Sequence, residues 1–232
     1  GIMRLSYSQL EWFLRCPYVY KYLFIDKNSL PRCNDAVFGG ILHNVLEHIY
    51  KDRPVILTLS EALAFYEKDW ESREAAAYFS SPLDAQVHFK EGLTIINAYY
   101  QKNNLPEGGQ EARILALEQF FEVPVEDKKT GQTHLFTGRI DRIDKLPNGL
   151  EVIDYKTSKS LRSEAEIAKD LQLSLYHLGI AALWPRMVKE CGEEVYVSLY
   201  FLRHTQKVSV KKTARQLKET QGQLLEYIRQ ME

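Results

Sequence analysis

The chain has 232 residues, 45% of them hydrophobic and 26% charged, which suits one globular domain with a sizeable core. Its 30 basic and 31 acidic residues leave a net charge of -1, so composition by itself gives no signal for nucleic acid. No apolar run approaches the ~20 residues of a membrane span. The first residues lack the apolar stretch of a secretion signal, and Cys16, Cys33 and Cys191 form no C-x-x-C pair; a cytoplasmic protein without a disulfide scaffold is expected.

In chain order, Ser6 and Gln9 make a capping box for a first helix, and Ser8 with Glu11 offers the same pattern two residues later. Pro17 ends or kinks this helix. The rings of Trp12, Phe13, Tyr18, Tyr20, Tyr22 and Phe24 are expected to fill the interior, with base stacking as the other reading. A second helix is expected over about Asp35 to Tyr50 and a third from near Ser60, with Glu61 in its first turn. A fourth starts at Ser81-Pro82, a good cap followed by a good first helical residue, and Asn103-Asn104 and Pro106 close it.

The pattern then changes to strands, over Ile114 to Val125, Leu135 to Leu146 and Leu150 to Thr157. Thr130-Gly131 and Pro147-Asn148-Gly149 are the turns, and Asn-Gly between two such runs is a strong hairpin signal. Ser163 to Leu183 reads as one helix, Glu194 to Arg203 and Lys207 to Val210 as a second hairpin, and the last twenty residues as a polar helix. The expected class is α/β (α+β): a central mixed sheet flanked by helices, with a helical first half. The expected organisation is one domain over 1–232, with a helical lead-in over 5–105, an αβ core over 110–212 and a terminal helix over 213–232.

The chemistry concentrates in Gly138-Arg139-Ile140-Asp141 and Val152-Ile153-Asp154-Tyr155-Lys156-Thr157. Asp154 and Lys156 are two apart on a strand and share a face. With Asn148-Gly149 as the two-residue turn, Asp141 falls opposite Lys156 and Asp154 on the adjacent diagonal, within mutual reach. A one-residue slip would flip the face and remove this convergence. Two carboxylates beside one ammonium suit a hard cation, Mg²⁺ or Mn²⁺, and the hydrolysis of a phosphodiester.

Three more segments matter: Phe38-Gly39-Gly40-Ile41-Leu42-His43, Gln172-x-x-x-Tyr176, and Leu5 to Leu10 running on to Cys16-Pro17-Tyr18. Taken together and in this order, the segments resemble the PD-(D/E)XK nuclease superfamily, in particular its RecB-like and AddB-like branch. The resemblance spans roughly residues 5 to 180. It implies a restriction-endonuclease-like core and a DNA substrate, single-stranded or at duplex ends. It also implies a metal held by His43, Asp141, Asp154 and Tyr155, with Asp141, Asp154, Lys156, Gln172 and Tyr176 acting in catalysis. A role in recombination or repair, a 5′-phosphate product and a helicase motor as partner follow from the same likeness.

A degenerate, non-catalytic DNA-binding module and a CRISPR-adaptation nuclease are the alternatives. Many relatives carry an iron–sulfur cluster on one early and three late cysteines; three scattered cysteines cannot build one, and none is expected in this chain. Glu47 and Glu118 are expected to be ordinary surface glutamates, with additional metal ligands as the other reading.

Overall fold

Ser6 does two jobs. In the computed structural model, which describes residues 1–192 and 194–232, Ser6 closes the strand β1 (Arg4–Ser6) and caps the helix α1 (Tyr7–Arg15). Gln9 N–H donates to its hydroxyl, and the Gln9 side chain accepts from the Ser6 N–H. Cys16 stops α1 in an extended conformation and Pro17 opens the short α2 (Pro17–Tyr20), which runs into a π-helical turn over Lys21–Ile25. Next come α3 (Asn34–Lys51), α4 (Leu59–Ser72) and α5 (Pro82–Lys102). Thr58 and Glu61 form the capping box of α4, and Ser81 with Pro82 starts α5 as their residue types favour.

Three antiparallel strands follow: β2 (Ile114–Asp127), β3 (Gln132–Leu146) and β4 (Gly149–Lys156). The chain then forms α6 (Glu164–Ala168), α7 (Leu171–Leu183), α8 (Pro185–Glu190), β5 (Glu194–Phe201), β6 (Gln206–Lys211) and α9 (Ala214–Met231). One mixed sheet results. β4 and β5 run parallel, as do β1 and β3; β2, β4 and β6 are antiparallel to β3, β3 and β5 respectively.

The sheet separates two apolar cores. On one face α3, α4 and α5 pack on Ile153, Tyr155 and Tyr200. On the other, Leu10 of α1, Leu173 and Ile180 of α7, and Leu224 and Ile228 of α9 pack on Phe121, Val152 and Val197. Phe121 is fixed by two glycines. A Cβ on Gly138 of β3 would sit 2.6 Å from its ring, and one on Gly179 of α7 would sit 2.5 Å from it. This close approach draws α7 down onto the strands that carry the candidate chemistry.

Three expectations need correction, and one short strand was not expected. The helix expected over Ser163 to Leu183 is two helices. Asp170 turns extended and accepts the Leu173 N–H at 2.9 Å as the cap of α7. The ammonium of Lys212, only 6% exposed, fills the break by donating to the carbonyls of Ile167, Ala168 and Asp170. The β3–β4 turn is Pro147-Asn148, because Leu146 pairs with Gly149; the register therefore differs by two residues from the one expected. β1 is too short to show as an alternating run. Finally, the rings after Trp12 are not interior: Tyr18 is 86% and Tyr22 45% exposed. Phe13, Tyr20 and Phe24 pack on one another instead, with ring centroids 5.6 and 5.4 Å apart.

Candidate active site

β3 uses one of its edges twice. β2 occupies the other edge over Gln132 to Asp144, while residues 135–137 pair with β1 and residues 142–146 with β4. Between these stretches lie Gly138, Arg139, Ile140 and Asp141, which have no strand partner on that edge among the described residues. The last β3–β4 pair is Arg142 with Ile153, so Asp141 and Asp154 face each other where the two strands part. A two-residue register difference keeps every side chain on its own face, which is why the carboxylates still converge. Asp141 takes up the open edge by accepting the Tyr155 N–H at 2.8 Å.

His43 reaches Asp141 from α3, with Nδ1 3.5 Å from Oδ2. Gly39, one turn earlier, lets the end of β4 come close: a Cβ there would lie 3.0 Å from Thr157 Oγ1. Glu118 joins from β2. Its backbone is left-handed, with φ of +46°, which breaks the strand's alternation and turns its carboxylate inward. Donor atoms of His43, Glu118 and Asp141 lie within 4.8 Å of one another.

From α7, Gln172 and Tyr176 meet the other carboxylate. Lys156 Nζ is 2.7 Å from Asp154 Oδ2 and donates to Gln172 Oε1 at 3.0 Å. Gln172 Nε2 donates to the Tyr176 hydroxyl at 3.0 Å, and that hydroxyl donates to Asp154 Oδ1 at 3.4 Å. Their i, i+4 spacing puts both on one helix face. These groups line one cleft of about 780 Å³. A further groove of about 410 Å³ shares Lys156, Ser158 and Gln172 with it and runs on past Arg162 to Tyr7.

The electrostatics are those of crowded carboxylates. Burial, then repulsion from Asp141 and Glu47, pushes the Glu118 carboxyl up to about 7. Burial and the nearby Asp141 also raise Asp154, with Lys156 opposing. Burial would raise Asp141 too, but His43 and the Tyr155 N–H hold it below the usual carboxylate range. Burial disfavours charge on His43, yet Asp141, Asp154 and Glu118 outweigh it and bring its pKa to about 8. Oxygen and imidazole donors, short of positive charge and gathered on one side of a cleft, fit a hard divalent cation.

The structure thus brings together His43, Asp141, Asp154, Lys156, Gln172 and Tyr176. It treats Tyr155 differently. Only the main chain of Tyr155 faces the carboxylates; its hydroxyl lies across the sheet beside Tyr99 and Arg142. Glu118, expected on the surface, is half-buried in the cluster, and no periodicity signal could reveal one left-handed residue. Arg203 was also not legible. It lies beyond β5, donates to the Thr157 carbonyl at 2.6 Å, pairs with Glu91 and lines the cleft. The remaining histidines stay outside: His48 stacks on Phe65, His134 accepts the Met3 N–H and His204 bonds the Lys159 carbonyl.

The family model described as the PD-(D/E)XK nuclease superfamily matches residues 4–231, and the chain belongs to that superfamily. Among solved structures, one titled "Crystal structure of SSO0001" aligns with 84% of this chain and 87% of its own, at 14% identity and a TM-score of 0.33. No curated protein matches the sequence. Among the described residues, no helix is long and apolar enough to cross a membrane.

Proposed function

We propose that the chain is a Mg²⁺- or Mn²⁺-dependent deoxyribonuclease domain of the RecB-like type, one domain over 1–232, acting on DNA ends or single strands in recombination and repair. The observation that carries this reading is the cleft in which the His43–Glu118–Asp141 cluster stands beside the Asp154–Lys156–Gln172–Tyr176 chain of contacts. His43, Glu118, Asp141 and Asp154 would hold the cation, which when bound supplies Lewis-acid activation of water and of the phosphoryl oxygen.

The chain's own residues do the rest. Lys156, 2.7 Å from Asp154, positions the attacking water and donates hydrogen bonds to the phosphate oxygens as they gain charge. Gln172 orients that side chain and Tyr176 steadies Asp154. The water oxygen forms the new bond to phosphorus and gives up one proton to solvent, while the bond to the leaving 3′-oxygen breaks and that oxygen takes up a proton, leaving a 3′-hydroxyl and a 5′-phosphate.

A single strand suits the surroundings. The groove leaving the cleft passes Arg162 and reaches α1. After α1 come Tyr18 and Tyr22, exposed to solvent in a stretch of sequence that also carries Arg15, Lys21, Lys27 and Arg32. Exposed rings interleaved with cations are what bases and phosphates of an unpaired strand use. A helicase motor as partner rests on the RecB-like resemblance.

The test is cleavage of end-labelled single- and double-stranded DNA in Mn²⁺, Mg²⁺ or EDTA, with Asp154→Ala and Lys156→Ala alongside. Metal-dependent products absent in both variants support the reading. No cleavage and no metal binding in the wild-type chain overturn it.

A further inference from the structure

The face of the sheet opposite the carboxylates carries a second buried polar system, and it is attached to the same two strands. Arg142 directly follows Asp141 and is only 4% exposed, as is Asp144. Its guanidinium grips Asp144 with two parallel bonds, Nε to Oδ1 and Nη2 to Oδ2, both 2.7 Å. It also lies over the Tyr50 ring, 4.7 Å from the centroid. The remaining nitrogen, Nη1, donates to the Tyr155 hydroxyl at 3.4 Å. That hydroxyl meets Tyr99 at 3.3 Å, and Tyr99 meets Tyr50 at 2.7 Å.

Position gives this system its meaning. Arg142 and Ile153 are the last paired residues of β3 and β4. One residue further on, pairing between β3 and β4 has ended, and Asp141 and Asp154 project from strands held on their outer edges by β2 and β5. Arg142 spans that point from below: it belongs to β3, and it holds Tyr155, which lies between Asp154 and Lys156 on β4. Tyr155 in turn donates its N–H to Asp141. A closed circuit results, from Asp141 along β3 to Arg142, across to the Tyr155 side chain, through its main chain and back to Asp141.

We propose that Arg142 is a positioning residue for the nuclease centre. Acting through Tyr155, it fixes the separation of Asp141 from the Asp154–Lys156 strand end. The bidentate grip on Asp144 fixes the guanidinium plane, so the two N–H groups of Nη1 are aimed at the Tyr155 hydroxyl and at Gln110 Oε1, 3.4 and 3.5 Å away. A lysine could pair with Asp144 but could not hold Tyr155 from the same position. This inference deepens the nuclease reading, and its primary test does not require DNA cleavage.

The experiment uses the metal-free, ¹⁵N-labelled whole chain and follows amide hydrogen exchange at residue 155, with Val197 of β5 as an internal control. Arg142→Lys keeps the charge beside Asp144, and Tyr155→Phe removes only the hydroxyl. In both, exchange at residue 155 is expected to quicken at least tenfold while Val197 is unchanged. The same spectra, titrated with Mg²⁺, are expected to show at least fivefold weaker binding. Uniform acceleration of both amides, or an unchanged residue 155, overturns the proposal and leaves the ion pair a stabilising feature alone. If the wild type neither cleaves DNA nor binds metal but the residue 155 result holds, the nuclease reading fails and the circuit stands.

Discussion

The ammonium of Lys156 lies 2.7 Å from a carboxylate oxygen of Asp154, and Asp154 is only 4% exposed. The cleft therefore sets a basic side chain directly beside its most deeply buried carboxylate. Lys156→Ala should lower the cleavage rate at saturating Mn²⁺ by on the order of 10²–10³, the usual cost of losing one charge-stabilising donor. Lys156→Met should do the same. A rate within threefold of wild type in either variant would remove Lys156 from the chemistry.

Glu118, Asp141 and Asp154 crowd their carboxylates together, a repulsion that a bound divalent cation would relieve. Mg²⁺ at about 100 times its dissociation constant should stabilise the fold by about 2.7 kcal/mol, which a thermal melt reads as a rise of several degrees. Glu118→Gln should weaken Mg²⁺ binding by calorimetry while raising the melting temperature of the metal-free protein. Tighter binding in that variant would show that Glu118 points elsewhere.

His177 sets an acid limit on stability. Burial, with the Lys212 charge adding to it, lowers its pKa to about 4, against ~6.5 in an unfolded chain. Between these values the unfolded state binds the proton and the folded state resists it, so stability falls as pH drops from ~6.5 towards about 4. Above ~6.5 the residue contributes no pH dependence. Urea melts of the metal-free chain should show this slope in wild type and a shallower one in His177→Leu. Parallel profiles would contradict it.

Gly179 opposes two effects. Alanine in a helix interior is favoured over glycine by ~1 kcal/mol, but its Cβ would meet the Phe121 ring at 2.5 Å, and overpacking costs ~1–3 kcal/mol. Steric cost should win, so Gly179→Ala lowers stability. Because α7 carries Gln172 and Tyr176, it should also slow cleavage more than the loss of folded protein accounts for. A stabilised variant would mean that Phe121 yields easily.

Much of this was legible in the sequence because strand chemistry has a period of two. Asp141, Asp154 and Lys156 kept their common face although the turn proved to be Pro147-Asn148 and the pairing moved by two residues. The caps at Ser6 and Ser81 are local and read directly from neighbouring residues. Glu118 escaped because its inward aim comes from one left-handed residue. The break at Asp170 depends on Lys212, far along the chain, and Arg203 reaches the cleft only after the sheet has formed. Exposure of Tyr18 and Tyr22 could not be read from aromatic content, since rings at mixed spacing suit an interior equally well.

His43 stands on α3, which belongs to one core, while Gln172 stands on α7, which belongs to the other. A substrate strand contacting both would act as a rivet between two layers packed on opposite faces of the sheet. Occupancy should then merge the opening motions of the two halves, so that amides in α3 and α7 exchange as a single unit when DNA is bound and independently when it is not.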